Sequence, residues 1–259
     1  MPAEAFNEPG VHPLSKTRAR SVRSLLRKKE RITTGLFLAE GAQAVSEAVR
    51  YGFAETLIVD DLGRFVGDLG DGEVLVASEQ QMKSLSQTVH SQDIFAVCRN
   101  PAVTLDELPE SRLVVICSQI RDPGNAGTVV RCADAFGADA VIFTSDSVEL
   151  VNAKTVRASV GSIFHLPIAV DVELADAVSW ARGSGMNILA ADAKGEPIDQ
   201  LDLSAPTAWV FGNEAWGLPE DAVDQCDQLA SIPMRGRAES LNLSTAAAIC
   251  LFASQTAQG

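Results

Sequence analysis

Three short stretches hold the residues best suited to chemistry. Asp122-Pro123-Gly124-Asn125-Ala126-Gly127 stands between an apolar run, Leu113–Cys117, and an amphipathic stretch, Thr128–Phe136. An α/β sheet opens its ligand crevice at such a place, because glycines let backbone approach a ligand and a helix start offers unpaired N–H groups. In the helix expected over 128–136, Val129, Cys132, Ala133 and Phe136 follow i, i+3, i+4, i+7 spacing and should face a core. Arg131 falls off that stripe. Near the start of the expected helix it opposes the helix dipole, so it is either a surface arginine or a residue kept for something besides stability. Phe211-Gly212-Asn213-Glu214 sets small residues beside one carboxylate. It suits a pocket for a cation or a ribose hydroxyl, although taken alone the first reading is a turn with an exposed Glu. Ser240-Leu241-Asn242-Leu243-Ser244 opens the last helix, where Ser and Asn either cap it or project into a pocket.

Elements must bring these stretches together. Before residue 100 the pattern predicts helix from Ser15, broken near Thr33-Thr34-Gly35, a strand at 36–38 and a helix from Glu40 to Arg50. Strands at 56–59 and 74–76 follow, then a helix capped by Ser78 and a strand over 93–98. Residues 100–111, with two prolines and three acids, read as a linker, and residues 1–12 as a disordered tail. The boundaries are thus an N-terminal domain over 13–99 and a second over 112–259. In the second, strands at 113–117, 140–143, 187–190, 208–211 and 229–232 alternate with helices at 128–136, 174–183, 222–226 and 244–254. That rhythm predicts an α/β fold with a parallel sheet covered on both faces. On the last helix Ala246, Ile249, Cys250 and Ala253 form the expected core stripe.

Asn125 to Arg131, Phe211 to Leu218, Ile232-Pro233-Met234 and Ser240 to Ser244 resemble, in residue type, order and spacing, the motifs of the SpoU (TrmH-like) branch of the SPOUT methyltransferases. Gly212 and Ile232 are 20 residues apart and Ile232 and Leu241 are 9 apart, like that family's cofactor loops. Asn152 to Gly161 is similar to a further family segment, and residues 15–98, with Arg31, Phe37, Glu40 and Gly41, resemble its small RNA-binding domain. The resemblance implies an RNA ribose 2′-O-methyltransferase that uses S-adenosylmethionine and works as a homodimer. It implies a C-terminal domain tied in a deep trefoil knot. Carried over by motif, Asn125, Arg131, Glu214, Asn242 and Ser244 are the catalytic set, and Gly212, Asn213, Leu218, Ile232, Met234, Ser240 and Leu241 hold the cofactor. The motif arginine would take the hydroxyl proton. Guanidinium resists deprotonation, so the alternative is a clamp on phosphate or 2′-oxygen while water or Glu214 takes the proton. One departure is Ala215, where the family often has Gly.

Net charge is −13 over 259 residues, which argues against a nucleic-acid partner until its distribution is read. Between residues 16 and 31 eight cations face Glu30 alone, a local +7, so the remainder carries −20. Arg23, Arg27, Lys28 and Arg31 there, with Arg157, are the RNA-binding candidates; the bland reading is a solvated helix face. The resemblance implies 23S rRNA over tRNA, since an extra N-terminal domain is typical of the family's rRNA-directed members. A non-catalytic RNA-binding relative and a nucleotide- or sugar-binding enzyme unrelated to RNA are the competing classes. Five scattered cysteines form no CxxC pair, and His12, His90 and His165 lack ligand spacing, so no metal is expected. No apolar run is long enough for a membrane span and no signal peptide is apparent, which predicts a cytoplasmic protein.

Overall fold

A computed structural model describes residues 10–64, 72–88 and 93–259; His90 and residues 1–9 of the expected tail lie outside them. The chain divides into two compact units, residues 1–101 with 151–164, and residues 102–150 with 165–259.

The first unit begins with strand β1 (Val11–Pro13), where the sequence suggested tail, and helices α1 (Lys16–Ser24) and α2 (Lys28–Thr34). Strand β2 (Leu36–Glu40), helix α3 (Ala42–Arg50), strands β3 (Ala54–Val59) and β4 (Glu73–Val76), helix α4 (Glu79–Leu85) and strand β5 (Ile94–Arg99) complete its first stretch. The sheet runs β1-β4-β3-β5-β2, with β1, β4 and β3 parallel and β5 antiparallel to β3 and β2. Gly35 ends α2 in the left-handed region (φ 68°), which a residue without Cβ adopts without strain and which lets β2 start at once. Ser78 caps α4 in a full capping box with Gln81, as its sequence predicts. Leu38, Ile58, Leu75, Met82, Leu85 and Phe95 fill one core.

The second unit holds β6 (Ala102–Val103), β7 (Leu113–Cys117), α5 (Pro123–Ala135) and β8 (Ala140–Thr144). Helix α6 (Ala153–Ser159) belongs to the first unit; then come β9 (Ile168–Val172), α7 (Leu174–Gly183), β10 (Asn187–Pro197), β11 (Thr207–Phe211), α8 (Glu220–Val223), β12 (Gln228–Ser231) and α9 (Leu243–Gln258). Its sheet has seven strands in the order β12-β10-β11-β7-β8-β9-β6, and every pairing is parallel. The central strands β7, β8 and β11 are buried along their whole length, because such a sheet is covered on both faces. Val114, Ile116, Ile142, Ile188, Ala208 and Val210 pack with Ala177, Val178 and Ala181 of α7 in one core. The stretch expected as linker contributes edge strand β6, which pairs with β9.

Helix α5 corrects an expectation. Asp122-Pro123-Gly124 reads as loop, yet Asp122 is an N-cap whose side chain accepts from Asn125 N at 2.9 Å, and Pro123 stands in the first turn where its missing N–H costs nothing. The helix therefore starts five residues before Thr128, and Arg131 lies in its C-terminal half. The cation does not oppose the helix dipole there. The buried stripe is Ala126, Val129, Val130 and Ala133, with Cys132 and Phe136 half-buried. On α9 Cys250 is buried as expected, whereas Ala246, Ile249 and Ala253 are only half-buried; the buried stripe is Ala247, Cys250, Leu251 and Ser254. Ser254 joins it because its hydroxyl accepts the indole N–H of the fully buried Trp209 at 2.8 Å.

Candidate active site

The second unit contains a cavity of about 590 Å³ at the ends of the parallel strands, within the ~300–1,000 Å³ usual for a small-molecule site. Three of the stretches that stood out in the sequence meet there. Asn125 comes from the first turn of α5, Gly212, Asn213 and Glu214 from the turn after β11, and Ser240, Leu241 and Asn242 from the approach to α9. Ile232 and Met234, after β12, complete the predicted lining.

A chain of side-chain hydrogen bonds runs along one side of the cavity. Asn125 Nδ2 donates to Glu214 Oε1 at 3.1 Å, and Asn242 Nδ2 donates to Asn125 Oδ1 at 3.0 Å. Asn242 Oδ1 accepts from Ser244 N at 2.9 Å and Ser244 Oγ at 2.6 Å. Asn242 thus both caps α9 and projects to the cavity, so the two readings of that position hold together. Glu214 also accepts from the backbone N–H groups of Asp122 (3.3 Å) and Arg121 (3.4 Å), which ties the turn after β11 to the start of α5. With every amide oriented by a neighbour, the chain presents a fixed pattern of donors and acceptors.

The glycine at 212 answers to close approach. A Cβ there would sit 2.5 Å from the carbonyl carbon of Gly217 and 2.6 Å from Leu218 N, backbone atoms that cannot step aside. Asn213 braces the same turn: it is 6% exposed, its amide donates to Gln119 O at 2.7 Å, and its Oδ1 accepts from Ala215 N at 2.8 Å. Gly217, at φ +70°, closes the turn through paired backbone bonds with Asn213. Ala215 causes no strain, since its φ is not positive.

Some expected residues stand elsewhere. Leu218 is not in the lining and packs on the core around Ile188 and Val210. Ser244 is behind Asn242 and does not line the cavity. Arg131 is exposed and outside the lining, without a hydrogen bond or ion pair among the described residues. Six residues beyond Asn125 on an α-helix, it points about 120° away around the axis. Arg31 is 9% exposed and donates from Nη1 to Leu25 O at 2.9 Å, so it holds α2 against the end of α1 and cannot serve as an open RNA contact. Arg157, on α6, turns toward Glu40, whose buried carboxylate it faces at 3.7 Å. Arg23, Arg27 and Lys28 are exposed, with Arg27 3.5 Å from Glu30.

Ala191, Asp192 and Ala193 line the cavity and lie just past the strand expected to end at Ala190. Strand β10 continues to Pro197, with a register shift between Ala191 and Glu196 where it passes β12. Such irregularities re-aim side chains beside sites. The acid at an otherwise apolar strand end was the available signal. His165 pairs with Asp134 at 2.7 Å, and no group of three or more potential metal ligands is gathered among the described residues.

A parallel α/β sheet with a ligand cavity at its strand ends, walled by backbone turns and an Asn–Glu–Asn chain, defines a small-molecule-using α/β domain joined to a separate unit with a basic first helix. Comparison with known proteins narrows that class. The profile of the SpoU rRNA Methylase family matches residues 112–252, and that of the MRM3-like substrate binding domain matches residues 16–96. The chain belongs to the SpoU rRNA methylase family. It is 35% identical over 228 residues to the 23S rRNA (guanosine(2553)-2′-O)-methyltransferase RlmP of Bacillus subtilis (strain 168), covering 87% of this chain and 90% of that one. It is 30% identical over 241 residues to a 23S rRNA (uridine(2479)-2′-O)-methyltransferase of Streptomyces viridochromogenes, covering 87% and 84%. Among solved structures, an AdoMet-bound rRNA methyltransferase from Sinorhizobium meliloti superposes with a TM-score of 0.84 at 31% identity, covering 95% of this chain and 98% of that one.

Proposed function

We propose that this protein transfers a methyl group from S-adenosylmethionine to a ribose 2′-hydroxyl of 23S rRNA, as a cytoplasmic homodimer. The observation that carries the reading is the Glu214–Asn125–Asn242 chain beside the 590 Å³ cavity in a chain whose 23S-directed relatives match it over most of both lengths. The relatives that match over most of both lengths are named for 23S rRNA, which favours rRNA over tRNA.

The cavity fits the cofactor. Met234 and Leu241 expose 37% and 38% of their surface at its lining, an apolar lip that a ligand would cover. Asp192 and Glu214 supply negative charge for a cationic ligand, and the Gly212 turn supplies backbone groups at close range. Gly212, Asn213, Ile232, Met234, Ser240 and Leu241 are the residues we assign to hold it. When bound, S-adenosylmethionine supplies a methyl group made electrophilic by its sulfonium.

The protein's own task is alignment. Asn125 and Asn242, held by Glu214 and Ser244, fix the ribose at the rim. Glu214 spends its oxygens on Asn125 and two backbone N–H groups, so we read it as an orienting group and not as the proton acceptor. Arg131 is a permanent cation and stands exposed outside the cavity lining, so we assign it to clamp a phosphate of the bound RNA, while the hydroxyl proton leaves to solvent. The deep trefoil knot belongs to this reading through the family resemblance.

The test is transfer from labelled S-adenosylmethionine to bacterial RNA, fractionated by size and digested to nucleosides. A labelled 2′-O-methylnucleoside from large-subunit rRNA is the expected product. Absence of label in every RNA, with the cofactor binding by calorimetry, would make the protein a non-catalytic relative. Failure of the cofactor to bind would remove the reading altogether.

A further inference from the structure

The three tryptophans are placed very differently. Trp209 is fully buried and Trp180 packs against the core of the second unit, whereas Trp216 is 54% exposed. It stands in the turn Asn213–Gly217, next to the cavity-lining Ala215 and Gly217. A core role would bury so large a ring. The turn that carries it is also not a loose one. Asn213 and Gly217 exchange backbone hydrogen bonds at 3.0 and 2.9 Å, and buried Asn213 ties the turn to Gln119 and Ala215.

Arg121 lies with its guanidinium carbon 5.2 Å from the centre of the Trp216 ring. Both residues hang from one frame, because Glu214 accepts the Arg121 N–H while belonging to the Trp216 turn. The result is an exposed aromatic ring on a braced turn, with a cation over it, next to the cavity lining. Arg235 and Arg237, both exposed, lie in the segment between the lining residues Met234 and Ser240. The body of the chain is strongly acidic, so three exposed arginines on segments that flank the cavity lining stand out as contacts for a polyanion.

We propose that Trp216 and Arg121 form a stacking platform for an unpaired nucleobase next to the methylated ribose, with Arg121 also meeting the flanking phosphate. This rests on the methyltransferase reading above and adds a substrate contact to it. Proteins read single-stranded RNA by splaying bases onto aromatic and guanidinium planes. A platform of this kind makes the enzyme prefer a target nucleotide in a loop or an unstacked end over one in a duplex.

Trp216→Ala and Trp216→Phe test it, with three readouts. Removing a stacking ring weakens RNA binding about 5- to 150-fold, so Trp216→Ala should raise the KM for large-subunit rRNA by that factor. Cofactor affinity by calorimetry should stay within about twofold, and Trp216→Phe should recover most of the loss, since any aromatic face stacks a base. In the third readout, oligoadenylate of eight nucleotides should quench the fluorescence of the wild type and leave that of Trp216→Phe unchanged. An unchanged KM in Trp216→Ala, or no quenching in the wild type, overturns the proposal. So does a fall in cofactor affinity or a change in sedimentation, which would put the ring against the cofactor or a second copy of the chain. If the wild type transfers no methyl group, the methyltransferase reading fails, and quenching by the oligonucleotide still decides the platform.

Discussion

Three polar side chains at the cavity depend on one another, and their chemistry predicts which substitutions matter. Asn125 donates to Glu214 and accepts from Asn242. Asn125→Asp keeps the shape but sets a second carboxylate against Glu214, so it should impair methyl transfer more than Asn125→Ala; equal rates would show that the donor is not needed. Arg131→Ala removes a charge with no partner among the described residues. We expect a loss of about 10²-fold in turnover, the size that a misplaced substrate costs, with cofactor binding intact. Near-normal turnover would sink that assignment. Gly212→Ala forces a Cβ to 2.5 Å from the Gly217 backbone. The turn must move, and cofactor affinity measured by calorimetry should weaken about tenfold or more, ~1.4 kcal/mol or above. The types and order of these residues were legible in the sequence. Which neighbour each would bond was not, because Asn125 and Asn242 are 117 positions apart and only the fold closes that distance.

The elements show where local patterns suffice. The central strands of the large sheet and α7 stand close to where alternation and apolar runs put them, since long buried runs have one stable use. Helix α5 begins earlier than expected, although Pro and Gly commonly break helices. An aspartate before a proline is a start signal, and Asp122 uses it. The inward place of Ser254 on α9, instead of the expected Ala253, has a specific cause, its hydroxyl accepting the Trp209 indole N–H. Ser254→Ala leaves that buried N–H without its acceptor, which costs about 1–3 kcal/mol. The urea midpoint should fall while the slope of the transition is kept; an unchanged midpoint would mean that the indole finds another acceptor.

At the scale of the molecule, charge and burial dominate. The exposed part of the basic segment, with Arg23, Arg27 and Lys28, stands against an acidic remainder. Reversing these three to Glu should weaken RNA binding and flatten its dependence on salt, by roughly 0.7–0.9 in log–log slope for each phosphate no longer neutralised. An unchanged slope would take the segment out of the interface. The five cysteines are all free, and burial pushes each thiol up, Cys226 to about 11 and Cys250 to about 12. Few thiolates form at pH 8, so a thiol reagent should modify the folded protein slowly and all five sites quickly once it is unfolded. Rapid labelling of the native chain would contradict that burial. No helix among the described residues is long and apolar enough to cross a membrane.

Without a structure, the sequence already specified two α/β regions, a parallel sheet in the second, and the motif residues of a methyltransferase family. Those features lie in short-range periodicity and in fixed spacings along the chain, which survive without coordinates. Tertiary structure decided the rest. It turned Arg31 and Arg157 inward, set Leu218 against the core, and brought Asp192 to the cavity through an irregular strand. It also left Trp216 in the open beside Arg121. Each outcome depends on what a side chain meets once the chain has folded, and pairings such as Arg157 with Glu40 or Arg121 with Trp216, across ninety or more positions, leave no mark in local pattern.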